Sequence, residues 1–193
     1  MNFLAHLHLA QLADSSLLGN LMADFVRGNP HQHWSAPVAD GILMHRRLDV
    51  MTDTLPEVRS ARQLFRAETY RVAPITLDVI WDHFLARHWQ QFMPGQTLAQ
   101  FSAAAEREIV PHLAETPVDF QELNAVMWRE RWFEHYAQPA RLERVLHGMA
   151  SRRPRLAALR DSYQDFTEHY DQLEALFFVF YPRLMALATS RTL

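Results

Sequence analysis

The sequence contains no cysteine, and all 19 of its basic residues are arginine, because lysine is absent as well. The lack of cysteine excludes disulfide scaffolds, iron–sulfur clusters, thiolate zinc sites and cysteine nucleophiles. The lack of lysine excludes a Schiff-base lysine and the lysine of a phosphate-binding P-loop. Imidazole, carboxylate, guanidinium and hydroxyl groups are therefore the side chains left for catalysis.

Long apolar runs and a strong net charge are also missing. No stretch of about 18 apolar residues is present, so we expect no membrane-spanning helix. The segment Met1–His6 lacks the positive charge that opens a signal peptide, which favours a cytoplasmic location. The net charge is -3 and no nucleic-acid reader motif occurs, so we do not expect nucleic-acid binding.

Glycine and proline number only 5 and 10, while hydrophobic residues make up 49% of the chain. This composition is typical of a globular domain, and the apolar spacing is helical almost throughout. The sequence predicts a single all-α domain over residues 1–193. We expect helices over residues 2–12, 15–27, 38–53, 56–68, 75–92, 97–114, 119–136, 139–150 and a last helical region, bent or restarted at Pro182, ending near residue 188.

The helix predicted over residues 75–92 carries acidic residues in an apolar setting. Asp78 and Asp82 are one turn apart on the same face, with His83 beside Asp82. A buried carboxylate must pair, take up a proton or bind a metal. We expect Asp78, in the first turn, to pair or cap. For Asp82 the sequence favours metal binding or catalysis over an ion pair.

Three other helices carry similar residues. His45, Asp49 and Asp53 follow one another at four-residue spacing, and either form a site or lie on a solvated face. Asn20 and Asp24 repeat this spacing among apolar neighbours. His6 and His8 cannot share a helix face; His6 is the inward candidate, with a buried structural histidine as its alternative, and His8 is expected to face solvent or a neighbour.

Histidine and carboxylate ligands without thiolate suit Mg²⁺ or Mn²⁺, and imidazole also suits iron or zinc. In a hydrolase such a cation polarises a phosphoryl oxygen and lowers the pKa of water. Arg46 and Arg47, beside His45, are candidates to hold a phosphate group bidentately. These residues together predict a metal-dependent phosphohydrolase.

Five segments closely resemble the bacterial acyl carrier protein phosphodiesterase family, in order and with similar spacing from residue 1 to about 185. They are Asn2–His6, Gly19–Phe25, His45–Asp49, Trp81–Leu85 and Gly148–Arg153. This family is regarded as a distant branch of the HD-type phosphohydrolases. The resemblance implies an all-helical, HD-like fold and an activity dependent on Mn²⁺ or Mg²⁺. It also implies removal of 4′-phosphopantetheine from holo acyl carrier protein.

The resemblance also implies roles for particular residues. An HD-type site has a histidine, an adjacent His-Asp pair and a distant aspartate, whereas here the adjacent pair is reversed at Asp82–His83. We expect the metal ligands to be Asp24, His45 and Asp82, with His6 as a fourth. We expect the catalytic or supporting residues to be His83, which protonates the leaving oxygen, Asp49 and Arg46.

The carrier protein in this family is strongly acidic, and two basic stretches of the chain suit it. Residues 141–160 contain six arginines and a single acidic residue, Glu143, and residues 59–71 add four arginines against Glu68. We expect the partner-binding residues to be Arg47, Arg152, Arg153 and Arg155, although a solvated helix face is the alternative. A groove for phosphopantetheine is expected beside Trp34, Trp81 or Phe84.

Two other functions stay open on the sequence alone. One is an HD-type hydrolase that acts on a nucleotide or another small phosphate ester. The other is a non-catalytic helical module that binds carrier protein through its arginines. Turnover of holo carrier protein, compared with nucleotides and with simple binding, distinguishes the three functions.

Overall fold

Twelve α-helices and five short 3₁₀ turns build the protein in a computed structural model that describes all residues 1–193, and no strand occurs. The helices are α1 (Phe3–Leu12), α2 (Leu17–Met22), α3 (Ala36–Thr54), α4 (Pro56–Arg62), α5 (Ala73–Arg87), α6 (Trp89–Phe92), α7 (Leu98–Ile109), α8 (Val118–Arg129), α9 (Trp132–His135), α10 (Pro139–Arg152), α11 (Ser162–Glu168) and α12 (Tyr170–Thr189). The all-α prediction is confirmed. No helix combines the length and apolar composition needed to cross a membrane.

Helices α1, α5 and α12 form the centre of the molecule. Trp81 and Phe84 of α5 are fully buried and pack against Phe177 of α12. In α1, seven consecutive residues from Leu4 to Ala10 are buried. Most residues of α1 and α5 are buried, so a polar side chain on their buried faces needs a partner inside the protein.

Several predicted helices end earlier or divide where the backbone leaves the helical region. The helix predicted over residues 119–136 divides into α8 and α9 because Arg131 adopts a left-handed conformation, with φ of 49°. The helix predicted over residues 75–92 divides at His88. Pro182 lies inside α12, and the helix continues past it to Thr189, so it does not restart the helix.

Helices α2 and α3 approach each other closely at Gly19. A Cβ atom at this position would lie 2.3 Å from the backbone oxygen of Val38. We expect Gly19→Ala to lower the free energy of unfolding by about 3 kcal/mol, because backbone atoms cannot move aside as a flexible side chain can. Urea unfolding measures this change.

Gly95→Ala is the matched control, since no heavy atom lies within 4 Å of a Cβ at that position. We expect it to change the free energy of unfolding by less than about 0.5 kcal/mol. Equal stability of the two variants would contradict the close packing of α2 on α3.

Candidate metal and phosphate site

Two buried imidazoles and a carboxylate form a cluster where α1 meets α3. The rings of His6 and His45 stack with their centroids 3.6 Å apart. Asp49, one turn beyond His45, lies 3.1 Å from His6 Nε2 and 3.2 Å from His45 Nε2. The ligand atoms of these three residues all lie within 4.8 Å of one another, as metal binding requires.

A hydrogen bond to backbone fixes the orientation of the His45 ring. Its Nδ1 donates to the backbone oxygen of Asn20 at 2.8 Å, so Nδ1 carries a proton. Its Nε2 is buried and makes no well-aligned hydrogen bond. Metal-binding histidines show this arrangement, in which a carbonyl holds one ring nitrogen and directs the other at the ion.

Asp24 connects this cluster to solvent. It lies in the 3₁₀ turn Ala23–Phe25 after α2, and its Oδ1 is 3.4 Å from His45 Nε2. Its side chain is 67% exposed, whereas that of His45 is 4% exposed. Asp24 therefore faces both the buried imidazole and the outside.

The charges of the cluster depend strongly on one another. Burial alone lowers the pKa of His45, but the carboxylates of Asp24 and Asp49 outweigh burial and raise it to about 9. Burial and the neighbouring His45 lower the pKa of His6 to about 4. Burial raises the pKa of Asp49, but His45 and His6 hold it well below its usual range. Without a metal, one imidazolium and one neutral imidazole thus face ionised carboxylates.

The α-amino group of Met1 lies at the edge of the cluster. It is 3.1 Å from Asp49 Oδ1 and 2.9 Å from Asp78 Oδ1. Burial lowers the pKa of this amine, but the two carboxylates raise it to about 11. Asp78 forms an ion pair, but its partner is the α-amino group of Met1 rather than an arginine, and it does not cap α5.

Asp82 has a structural role in place of the metal-binding role expected from the sequence. Its two oxygens accept hydrogen bonds from the backbone N–H groups of Leu4 at 2.8 Å and Ala5 at 2.9 Å. These are unpaired donors in the first turn of α1. Burial raises the pKa of Asp82 to about 7, although the N–H groups act in the opposite direction. The structure does not bring Asp82 into the cluster.

His83 also differs from its expected role as a general acid. Its Nδ1 donates to the backbone oxygen of Tyr136 at 2.8 Å, and its Nε2 lies 3.0 Å from the hydroxyl of Tyr170. The side chain is fully buried, and burial lowers its pKa to about 4. Both ring nitrogens are thus engaged inside the core, so we do not assign proton transfer to His83.

Arg46 holds the segment that follows Asp24. Its guanidinium donates to the backbone oxygens of Val26 at 2.6 Å and Gly28 at 2.8 Å. These bonds tie the segment to α3 beside His45. Arg46 is therefore a positioning residue for Asp24 rather than the phosphate clamp expected from the sequence.

We expect Arg46→Ala to lower kcat/KM of the predicted phosphohydrolase reaction about tenfold or more. The reason is that loss of two charge-assisted hydrogen bonds releases the segment that follows Asp24. Metal titration should show weaker binding in the same variant. Arg107→Ala, which removes an exposed arginine of α7, is the control and should leave both values unchanged. Unchanged metal affinity in Arg46→Ala would contradict the positioning role.

A cleft of about 820 Å³ opens beside Asp24 and Met1. Five arginines line it, and four of them have no carboxylate within 4.0 Å. These four are Arg27, Arg144, Arg152 and Arg153. The fifth, Arg141, pairs with Glu130. A concave surface with free guanidinium groups attracts anions, so the cleft suits a phosphorylated ligand.

The other predicted residues lie away from this cleft. Arg47 donates to the backbone oxygen of Leu193 and lines a separate, smaller cavity. Arg155 is exposed in the turn after α10 but does not line the cleft. Asp53 pairs with Arg62 on the surface. Trp81 and Phe84 are buried in the core, so they cannot line a groove as expected.

Several proteins of similar sequence share one description. The family model for acyl carrier protein phosphodiesterase matches residues 1–184. Proteins named acyl carrier protein phosphodiesterase include one from Klebsiella pneumoniae subsp. pneumoniae, 61% identical over 193 residues with both chains covered completely. Another, from Yersinia enterocolitica, is 59% identical over 191 residues, covering 99% of each chain. No solved structure matches this chain.

The match thus includes every part of the site: α1 with His6, the turn with Asp24, α3 with His45 and Asp49, and the arginines of α10. The HD-like relationship stays a prediction. Because the family model and these relatives match nearly the whole sequence, the chain belongs to the acyl carrier protein phosphodiesterase family.

Proposed function

We propose that this protein hydrolyses the phosphodiester that joins 4′-phosphopantetheine to a serine of holo acyl carrier protein. The observation that carries the proposal is the position of the arginine-lined cleft, which opens beside a buried cluster of histidine and aspartate. The names of the relatives support carrier protein as the substrate. The products are apo carrier protein and 4′-phosphopantetheine.

His6, His45 and Asp49 are the residues that we propose hold a divalent cation, with Asp24 as a fourth ligand. The buried Nε2 of His45, which makes no well-aligned hydrogen bond, and the ionised carboxylates around it fit such a group. We propose Mn²⁺ or Mg²⁺, because two carboxylates without thiolate suit hard cations. When bound, the cation supplies Lewis-acid polarisation of a phosphoryl oxygen and a lower pKa for water.

Side chains of the cleft bind and orient the diester. The free guanidinium groups of Arg27, Arg144 and Arg152 can hold phosphate oxygens. Asp24 lies at the junction of cleft and cluster and can accept the proton of the attacking water. A water oxygen bonds to phosphorus and gives a proton to Asp24, and the bond from phosphorus to the serine oxygen breaks. The proton held by Asp24 then passes to that oxygen, which leaves as the serine hydroxyl.

The same cleft gives an acidic protein a place to bind. The chain as a whole has a net charge of -3, which does not attract an acidic partner. The arginines at the cleft are a local exception, because Arg141, Arg144, Arg152 and Arg153 all line it. We propose that Arg152 and Arg153, both exposed, contact the acidic surface of the carrier protein.

The test compares substrates. Purified protein with Mn²⁺ is incubated with holo carrier protein, a cyclic nucleotide and bis-p-nitrophenyl phosphate, and release of each product is measured. We expect turnover of holo carrier protein at least about 100-fold above the two small esters, and none after EDTA. Preferred turnover of a small ester, or binding of carrier protein without any product, would overturn the proposal.

A further inference from the structure

One face of α10 lies entirely in the cleft. The residues at helical spacing on this face are Arg141, Arg144, Val145, Gly148, Met149 and Arg152. The opposite face, with Leu142, Leu146 and Ala150, is buried in the core. The cleft face extends roughly 16 Å at 1.5 Å per residue. It therefore forms one long wall with charged and apolar positions along it.

Gly148 in the middle of this wall is not required by the packing of the protein. Glycine inside a helix is less favourable than alanine. A Cβ at Gly148 would have only the mobile end of Arg152, 3.8 Å away, as a neighbour. At Gly19, in contrast, a Cβ would overlap a backbone oxygen. A helical glycine with free space beside it, in a cleft, indicates close approach of a ligand to the backbone.

Apolar side chains line the cleft beside polar ones such as Asp78 and Asp119. Ile75, Leu123 and Trp132 are half-buried and line the same cleft as Asp24. Half-buried apolar side chains around a concave surface are typical of sites for small organic ligands, and the volume is in the range of such sites. The cleft thus offers both apolar contact and anion binding.

We propose that this cleft, with Gly148 in the middle of its α10 wall, binds the pantetheine arm of the substrate along α10. The proposal rests on the proposed function and goes further, since it assigns the arm a place. The arm has a gem-dimethyl group next to its phosphate and two amides beyond it. The phosphate lies at the Asp24 end, the gem-dimethyl group packs on apolar side chains, and the chain passes over Gly148.

The experiment fills the space over Gly148. Binding of 4′-phosphopantetheine alone is measured by calorimetry for the wild type, Gly148→Ala and Gly148→Leu, and KM is measured for holo carrier protein. We expect affinity to fall at least about tenfold in Gly148→Leu, with a smaller loss in Gly148→Ala. The melting temperature of Gly148→Ala should equal or exceed that of the wild type.

Gly95→Leu is the matched control, because its position is open and lies outside the cleft. It should bind 4′-phosphopantetheine as the wild type does. Apo carrier protein, which lacks the arm, should bind equally to all variants. Equal affinity of Gly148→Leu and Gly95→Leu for 4′-phosphopantetheine, or no binding by the wild type, overturns the inference. Failure of the proposed function appears separately, as absence of wild-type turnover.

Discussion

Replacing His45 with alanine is expected to lower turnover of holo carrier protein by about 1,000-fold or more. His45 has a ring nitrogen directed at Asp24 and Asp49, and no other side chain can supply it. Loss of a metal ligand removes several kcal/mol of transition-state stabilisation, and each 1.36 kcal/mol is tenfold in rate. Asp49→Ala should have an effect of similar size, since Asp49 contacts both imidazoles.

Two matched variants separate this effect from loss of folding. His31→Ala removes an exposed histidine that pairs with Asp40 on the surface. Asp53→Ala removes an exposed carboxylate of α3, one turn beyond Asp49. Both should retain wild-type turnover and metal binding, measured by isothermal titration with Mn²⁺. Full turnover in either His45→Ala or Asp49→Ala, with helical content preserved, would refute the metal cluster.

Charge reversal at the cleft should produce the second large effect. Arg152→Glu combined with Arg153→Glu is expected to lower kcat/KM for holo carrier protein about 100-fold at low salt, mainly through KM. Neither arginine has a carboxylate partner, so their charge is available to an acidic protein. Complementary charge of this kind changes association rates 10- to 1,000-fold. Kinetics across a salt series measure the effect.

The control for this variant changes net charge equally. Arg87→Glu combined with Arg107→Glu reverses two exposed arginines, at the end of α5 and in α7, that do not line the cleft. It should leave KM within about twofold of the wild type, because neither side chain lines the surface proposed to bind the carrier protein. Added salt should raise the KM of the wild type and reduce the difference between wild type and the cleft variant. Equal kinetics of the two double variants would remove the cleft from the account.

Local patterns in the sequence predicted the parts of the fold and site that depend on neighbours along the chain. Helical periodicity gave the all-α class, and four-residue spacing placed His45 and Asp49 on one face of α3. The His45–Asp24 contact also agrees with the expected ligand set. The helical class and the spacing within α3 follow from helix geometry alone, whereas the contact between His45 and Asp24 joins two separate segments.

The sequence could not show which buried polar groups pair with distant backbone. Asp82 lies among apolar residues in the sequence, as a buried metal ligand would. Its partners in the structure are backbone N–H groups 77 and 78 positions away along the chain. His83 likewise donates to a carbonyl 53 positions away. The assignment of Asp49 as a supporting residue and Asp82 as a ligand is thus exchanged in the structure-based proposal.

Sequence patterns could not predict the cleft as a whole, since α5, α8, α9 and α10 all contribute to it. Only one wall has features that are visible in the sequence. They are the run of arginines after residue 140 and the glycine, Gly148, inside an amphipathic helix. Trp81 and Phe84, two of the residues expected beside the groove, are fully buried against α12, whereas Ile75, Asp78 and Val79 of the same helix line the cleft.

Intact-mass spectrometry of holo carrier protein incubated with this protein tests the central claim most directly. With Mn²⁺ present, the carrier protein should lose the mass of its prosthetic group and become apo protein, and free 4′-phosphopantetheine should appear. With EDTA, or with His45→Ala in place of the wild type, the mass should not change. An unchanged carrier-protein mass with folded wild-type protein and Mn²⁺ would contradict the account.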